Sequence, residues 1–155
     1  MISMLLALAA LAPSTKLPSA EALPPPASDE QAVLVPINQL FAAMRAKDGA
    51  RMLAQVRADG RLTGVSETGA NSSSWGEFAG RFKPGEGPAL EERLVGAPAI
   101  EVDGDIAMVW SPYVFLVDGK LSHCGIDHFD LVREAGQWKV LNITWTKRKT
   151  DCPTP

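Results

Sequence analysis

Two histidines, two cysteines and one tyrosine are all that this chain of 155 residues offers to metal, thiol or phenol chemistry. The cysteines, Cys124 and Cys152, stand far apart and form no CxxC, so neither a zinc cluster nor a dithiol redox motif is spelled. Excess positive charge is missing too. With 15 Lys and Arg against 18 Asp and Glu the net charge is -3, which excludes the basic surface that nucleic acid or anionic lipid would need. The one basic cluster, Lys147-Arg148-Lys149, follows the last strand pattern and reads as a solvated end. There is no phosphate-binding Gly-rich loop, no GxGxxG and no GxSxG, and the residues imply no cofactor. Residues 4–12 form an apolar run, but it falls short of the ~20 residues that stable insertion across a bilayer requires.

What remains is ordinary for a globular protein: 46% hydrophobic and 21% charged residues, sufficient for one domain with one core. Residues 1–22 read as a secretory signal peptide. The apolar run at 4–12 leads to Ala20-Glu21-Ala22, a small-x-small cleavage pattern that places the mature start at Leu23. Met1-Ile2-Ser3 carries no Lys or Arg, so an apolar leader without export function, or a misplaced start codon, is the competing reading. Residues 23–28, with Pro24-Pro25-Pro26, read as a stiff linker, and residues 29–152 as the folded domain. Export to a periplasmic or secreted location would allow a Cys124–Cys152 disulfide that pins the C-terminal tail to the sheet. The alternative is a buried free thiol at Cys124 and a loose Cys152.

Ser28 followed by Gln31 marks a helix start in the capping-box pattern. Val33, Ile37, Leu40, Phe41 and Met44 recur at helical spacing, with Pro36 expected to kink the helix or mark its true beginning. Asp48-Gly49 ends it and starts a short second helix carrying Met52, Leu53 and Val56. Residues 61–66 read as a strand and the Gly/Asn/Ser-rich 69–74 as a loop. A third short helix follows, with Ser74 as N-cap, Glu77 at N3, and Trp75, Phe78, Ala79 and Phe82 on one face. After a breaker-rich loop at 83–88 the strand pattern runs from Leu90 almost to the end. Helices first and long meandering strands last predict an α+β fold: three N-terminal helices packed into a strongly curved, mainly antiparallel sheet that forms a cone with an internal pocket.

This order resembles the nuclear transport factor 2-like superfamily, the cystatin-like α+β cone. The residues carrying the resemblance are the first helix running into Asp48, then Val102-Asp103-Gly104-Asp105-Ile106-Ala107-Met108-Val109-Trp110, Asp118-Gly119-Lys120 and Gly136-Gln137-Trp138-Lys139-Val140. The superfamily includes ketosteroid isomerase, scytalone dehydratase, limonene epoxide hydrolase and polyketide cyclases beside non-enzymatic members, so the resemblance implies a fold and a pocket but no reaction. More narrowly, the strands "DGDxAxVW-PY" and "DGKxSHCGxDxFxL" and the late Cys resemble a group of exported bacterial proteins of unassigned function.

Strand geometry narrows the pocket. A two-residue hairpin at Asp118-Gly119 pairs Val117 with Lys120. Carried on without a break, that register sets Val114 opposite His123, Pro112 opposite Gly125, Trp110 opposite Asp127 and Met108 opposite Phe129, all on one face. A bulge at Pro112 or Gly125 would invert one end of this assignment. The expected ligand-binding face therefore comprises Met108, Trp110, His123 and Phe129 with Asp127 among them. Trp75 and Phe78 would close the cone mouth, and the last strand would contribute either Trp138, Val140, Asn142 and Thr144 or Leu141, Ile143 and Trp145. His123 and Asp127 are four residues apart, about 13 Å along a strand, too far to form a dyad. His123 and His128 fall on opposite faces, so no metal site is expected. Tyr113 and Trp145 are assigned to core or interface.

Asp127 is the candidate catalytic residue. A carboxyl in an apolar cone has a raised pKa and suits general-base work near neutral pH. The competing role is structural, with Asp127 accepting hydrogen bonds from backbone or from an Arg such as Arg93. Because no second acid/base group is evident near Asp127, the sequence favours a small-molecule-binding domain, homodimeric through its sheet, for an apolar or carbonyl-containing molecule. The alternatives are an isomerase-, dehydratase- or cyclase-type enzyme and a structural dimerisation module whose pocket is filled by its own side chains.

Overall fold

The computed structural model describes residues 28–154. The expected signal peptide and all of the linker but Ser28 lie outside the described residues. Ser28 accepts a hydrogen bond from the Gln31 amide and opens helix α1, Asp29–Arg45. Pro36 lies inside α1, which continues on both sides of it. Asp48 caps α2, Gly49–Leu53, through the Arg51 amide. The capping box of α3, Trp75–Ala79, is complete in both directions between Ser74 and Glu77.

The strands are β1 (Arg61–Ser66), β2 (Gly69–Ser74), β3 (Leu90–Leu94), β4 (Ala99–Asp103), β5 (Ile106–Val117), β6 (Lys120–Glu134) and β7 (Gln137–Thr146). They form one sheet in the order β2-β1-β7-β6-β5-β3, with β4 also on β5; only β1 and β7 run parallel. This is the expected α+β cone. Residues 69–74, expected as a loop, form β2. Their polar composition suits an exposed edge strand, and Thr63 and Ser72 join hydroxyls across the β1–β2 pair at 2.8 Å. Pro112 sits on β5 between the stretches paired with β3 and β4, where its missing N–H interrupts no ladder.

Two irregularities curve the sheet and set its faces. The Asp118-Gly119 turn has positive φ at both residues (50° and 74°) and pairs Val117 with Lys120 as expected. The register then shifts between Phe115 and Leu116, leaving Ser122 as the extra residue, so that Phe115 faces His123, Ser111 faces Asp127 and Trp110 faces His128. The unbroken register expected from the turn is thus corrected. A single inserted residue exchanges the faces of everything beyond it. A second shift, between Asp130 and Leu131, leaves Leu141 unpaired on β7. The concave face consequently takes Trp138 and Val140 below that shift and Ile143 and Trp145 above it. Neither of the two alternatives for the last strand holds along its whole length.

α1 packs Val33, Ile37, Leu40 and Phe41 against Val109, Phe129, Leu131 and Val140, with the Phe41 and Phe129 rings edge to face at 6.1 Å. This core fills the part of the concave face nearest the β4–β5 turn. On the opposite face Cys124 and Cys152 are bonded, with sulfurs 2.09 Å and Cα atoms 5.6 Å apart. Cys124 packs there with Val114 and Leu116, and the backbone of Arg148 pairs with that of Cys124.

Candidate functional site

Towards the β5–β6 turn the concave face is not filled. A cavity of about 540 Å³ lies between the sheet, the end of α1, α3 and the β1–β2 hairpin. Its wall is mainly apolar: Met44 and Met52 from the helices, Trp75, Phe78 and Phe82 at one side, and Phe115, Ile143 and Trp145 on the sheet. Two glycines allow large rings to lie flat on the strands. A Cβ on Gly64 would fall 2.6 Å from the Trp145 ring. One on Gly125 would fall 1.9 Å from the Thr146 carbonyl oxygen and 2.8 Å from the Tyr113 ring. Tyr113 thereby crosses β6 and donates its hydroxyl to the Thr146 carbonyl at 2.9 Å. Trp75 spends its indole N–H on the Leu141 carbonyl at 2.9 Å.

The polar groups are few. His123 lines the cavity, stacked on Phe115 at 4.7 Å and edge-on to Tyr113 at 5.9 Å. Burial, with Lys147 and Lys149 adding positive charge, pushes its pKa down to about 4, so the imidazole is neutral near pH 7. Glu92 of β3 is partly buried and also lines the cavity. Burial pushes its carboxyl up to about 7, opposed by the neighbouring Asp127. Asp127 is 0% exposed, and within the described residues neither carboxyl oxygen has a hydrogen-bond partner. Burial first, and then the neighbouring Glu92, raise its pKa well above the ordinary carboxylate range. Burial and the charges of Asp127 and Glu92 likewise raise the Tyr113 phenol, against Arg148.

The expected site residues therefore separate. Trp75, Phe78 and His123 line the cavity, while Phe129 and Asp127 are buried on the same face. Trp110 and Met108 are displaced to the convex face by the Ser122 bulge; Trp110 is 49% exposed and packs on His128 at 5.8 Å. Asn142 is also outside the cavity, bonded to Asp130 and to the Arg61 amide. Arg93 pairs with Glu91 rather than Asp127. Glu92 and Tyr113 were not expected at a site, and Trp145 only in the second of the two readings of the last strand. The signal for Glu92 was the period-two pattern Leu90, Glu92, Leu94, which places a carboxyl on an otherwise apolar face.

Architecture and cavity together define a nuclear transport factor 2-like cone. Similar solved structures include a cystatin-like protein of unknown function from Nostoc punctiforme, at 14% identity and TM-score 0.61 over 81% of this chain and 94% of that one. A nuclear transport factor 2-like superfamily protein from Salmonella enterica serovar Typhimurium is similar at 16% identity and TM-score 0.61, over 81% and 96%. A Mycobacterium tuberculosis protein of unknown function reaches TM-score 0.63 at 16% identity, over 79% and 73%. No curated protein matches the chain. The family model described as "Putative lumazine-binding" matches residues 28–146, and the chain belongs to that family.

Proposed function

We propose that this protein binds a flat, largely apolar small molecule in the cone cavity. The observation carrying this reading is a volume of about 540 Å³ walled mainly by aromatic and aliphatic side chains, with Glu92, His123 and Lys147 among them. That size and composition suit a small organic ligand, and an unfilled cone supports binding over a purely structural module. Lumazine, the compound in the family's description, is the first probe to try, alongside the hydrocarbon 2-ethylnaphthalene. Trp75 and Trp145 line the cavity, so either ligand should quench tryptophan fluorescence saturably. Ala70→Trp, at an exposed position on the cavity rim, should abolish the quenching without changing Tm. No saturable quenching by either compound would refute the reading.

Proton-transfer chemistry is a second reading, favoured by Glu92 beside Asp127: the second acid/base group that the sequence did not reveal. Deuterium exchange at the α-carbon of a bound aryl ketone in D2O tests it, and exchange no faster than in buffer removes it. The reading also includes export, because the Cys124–Cys152 disulfide belongs in an oxidising compartment. It further includes a homodimer through the convex face, where Trp110 and Ile106 are 49% and 60% exposed. Light scattering should give twice the chain mass, and Trp110→Glu should return the monomer.

A further inference from the structure

Glu92 and Asp127 come from strands that are not neighbours, yet both stand on the concave face of the sheet. The register sets Glu92 opposite Phe115 and Asp127 opposite Ser111, with Tyr113 between those two positions on β5. The hydroxyls nearest by register are committed elsewhere: Ser111 donates to the Pro112 carbonyl at 3.0 Å and Tyr113 to the Thr146 carbonyl at 2.9 Å. Asp127 is completely buried without a donor for its charge, and an unpaired buried carboxylate is costly. Its polar neighbour is another carboxyl. Two interacting carboxyls in apolar surroundings do not both ionise readily. Glu92 lines the cavity and is the member that a ligand meets.

We propose that Glu92, backed by Asp127, makes the cavity's ligand preference switch with protonation, favouring a neutral carbonyl compound when Glu92 is protonated and an ammonium compound when it is ionised. This rests on the cavity being a ligand site. A protonated Glu92 donates to a carbonyl oxygen, while the ionised form accepts from an N–H donor and attracts its charge. Asp127, the more deeply buried of the two, keeps its proton, so the charge that develops on Glu92 faces the cavity and not the sheet. Burial sets the changeover near neutral pH. The other titratable groups acting here are His123 and Lys147 on the wall, Lys149 against His123, and Tyr113 with Arg148 against it. The helices bring only apolar side chains, among them Leu40, Met44, Met52 and Phe78.

Three probes with one naphthyl body test the switch on the full chain: 2-ethylnaphthalene, 2-acetylnaphthalene and 1-(2-naphthyl)ethylamine, each titrated at pH 5.5 and 8.0. The hydrocarbon should bind equally at both. The ketone should bind about fivefold or more tightly at pH 5.5, and the amine tighter at pH 8.0 by a similar factor or more. Glu92→Gln should keep hydrocarbon binding and erase both differences; Glu92→Met serves the same purpose if the Gln variant does not fold. A ketone and an amine that follow the hydrocarbon's pH profile would overturn the switch while leaving the cavity reading intact. Differences that survive in Glu92→Gln would assign the effect to His123 or Lys147 and overturn it equally. If the hydrocarbon itself does not bind, the cavity reading fails and the switch fails with it.

Discussion

Asp127 is buried and His123 half-buried, and burial drives their pKa values in opposite directions because it disfavours whichever form is charged. The folded chain holds protons on Glu92 and Asp127 that the unfolded chain, with ordinary values of 4.5 and 3.8, has released. Their stabilisation is complete below about pH 4 and is lost as pH rises through their raised native values, about 7 for Glu92. His123 behaves in the reverse sense. Its contribution is present above the unfolded value of 6.5 and is lost as pH falls to about 4. The two effects oppose each other between roughly pH 4.5 and 6.5, and above that only the carboxyls act. Urea unfolding should therefore show stability falling between pH 6.5 and 8.5, by about 1 kcal/mol or more in all. Asp127→Asn should flatten the slope, and a level wild-type profile would mean that the pair is already ionised in the native state.

At the scale of elements, the one-residue shift at Ser122 decides which chemistry enters the cone. Helix starts were legible because each cap is local: Ser28, Asp48 and Ser74 sit three residues before the amides they accept from. The Asp118-Gly119 turn was legible for the same reason. The bulge was not, since Met108, Trp110, Val109 and Phe129 make both faces of β5 and β6 apolar and alternation cannot choose between them. Glu92 was hidden by Glu91 and Arg93, which give β3 the look of a charged surface strand. Ser122 sets the register by being counted, and its hydroxyl also meets His123 Nδ1 at 3.2 Å. Ser122→Ala should change stability by no more than about 1 kcal/mol. Deleting Ser122 should send residues 123–134 to the wrong faces and abolish the native near-ultraviolet circular dichroism; a deletion variant with native dichroism would show that the register rests elsewhere.

Across the whole molecule, α1 stabilises one half of the cone and leaves the other half open, so integrity of the cavity wall depends on the sheet's own ties. One is the disulfide, which closes a loop of 28 residues behind that wall. Cys152→Ser should cost about 3 kcal/mol in the chain-entropy account, read as a lower urea midpoint under non-reducing conditions. Thiol titration of the denatured, unreduced protein should find no free thiol, and two would refute the bond. His123 and Cys124 are consecutive, and consecutive residues of a strand face opposite sides. One peptide unit thus carries an aromatic wall of the cavity on one side and a sulfur anchor on the other. Dithiothreitol added for storage would cut that anchor, so affinities measured with and without it would describe two chemically different proteins.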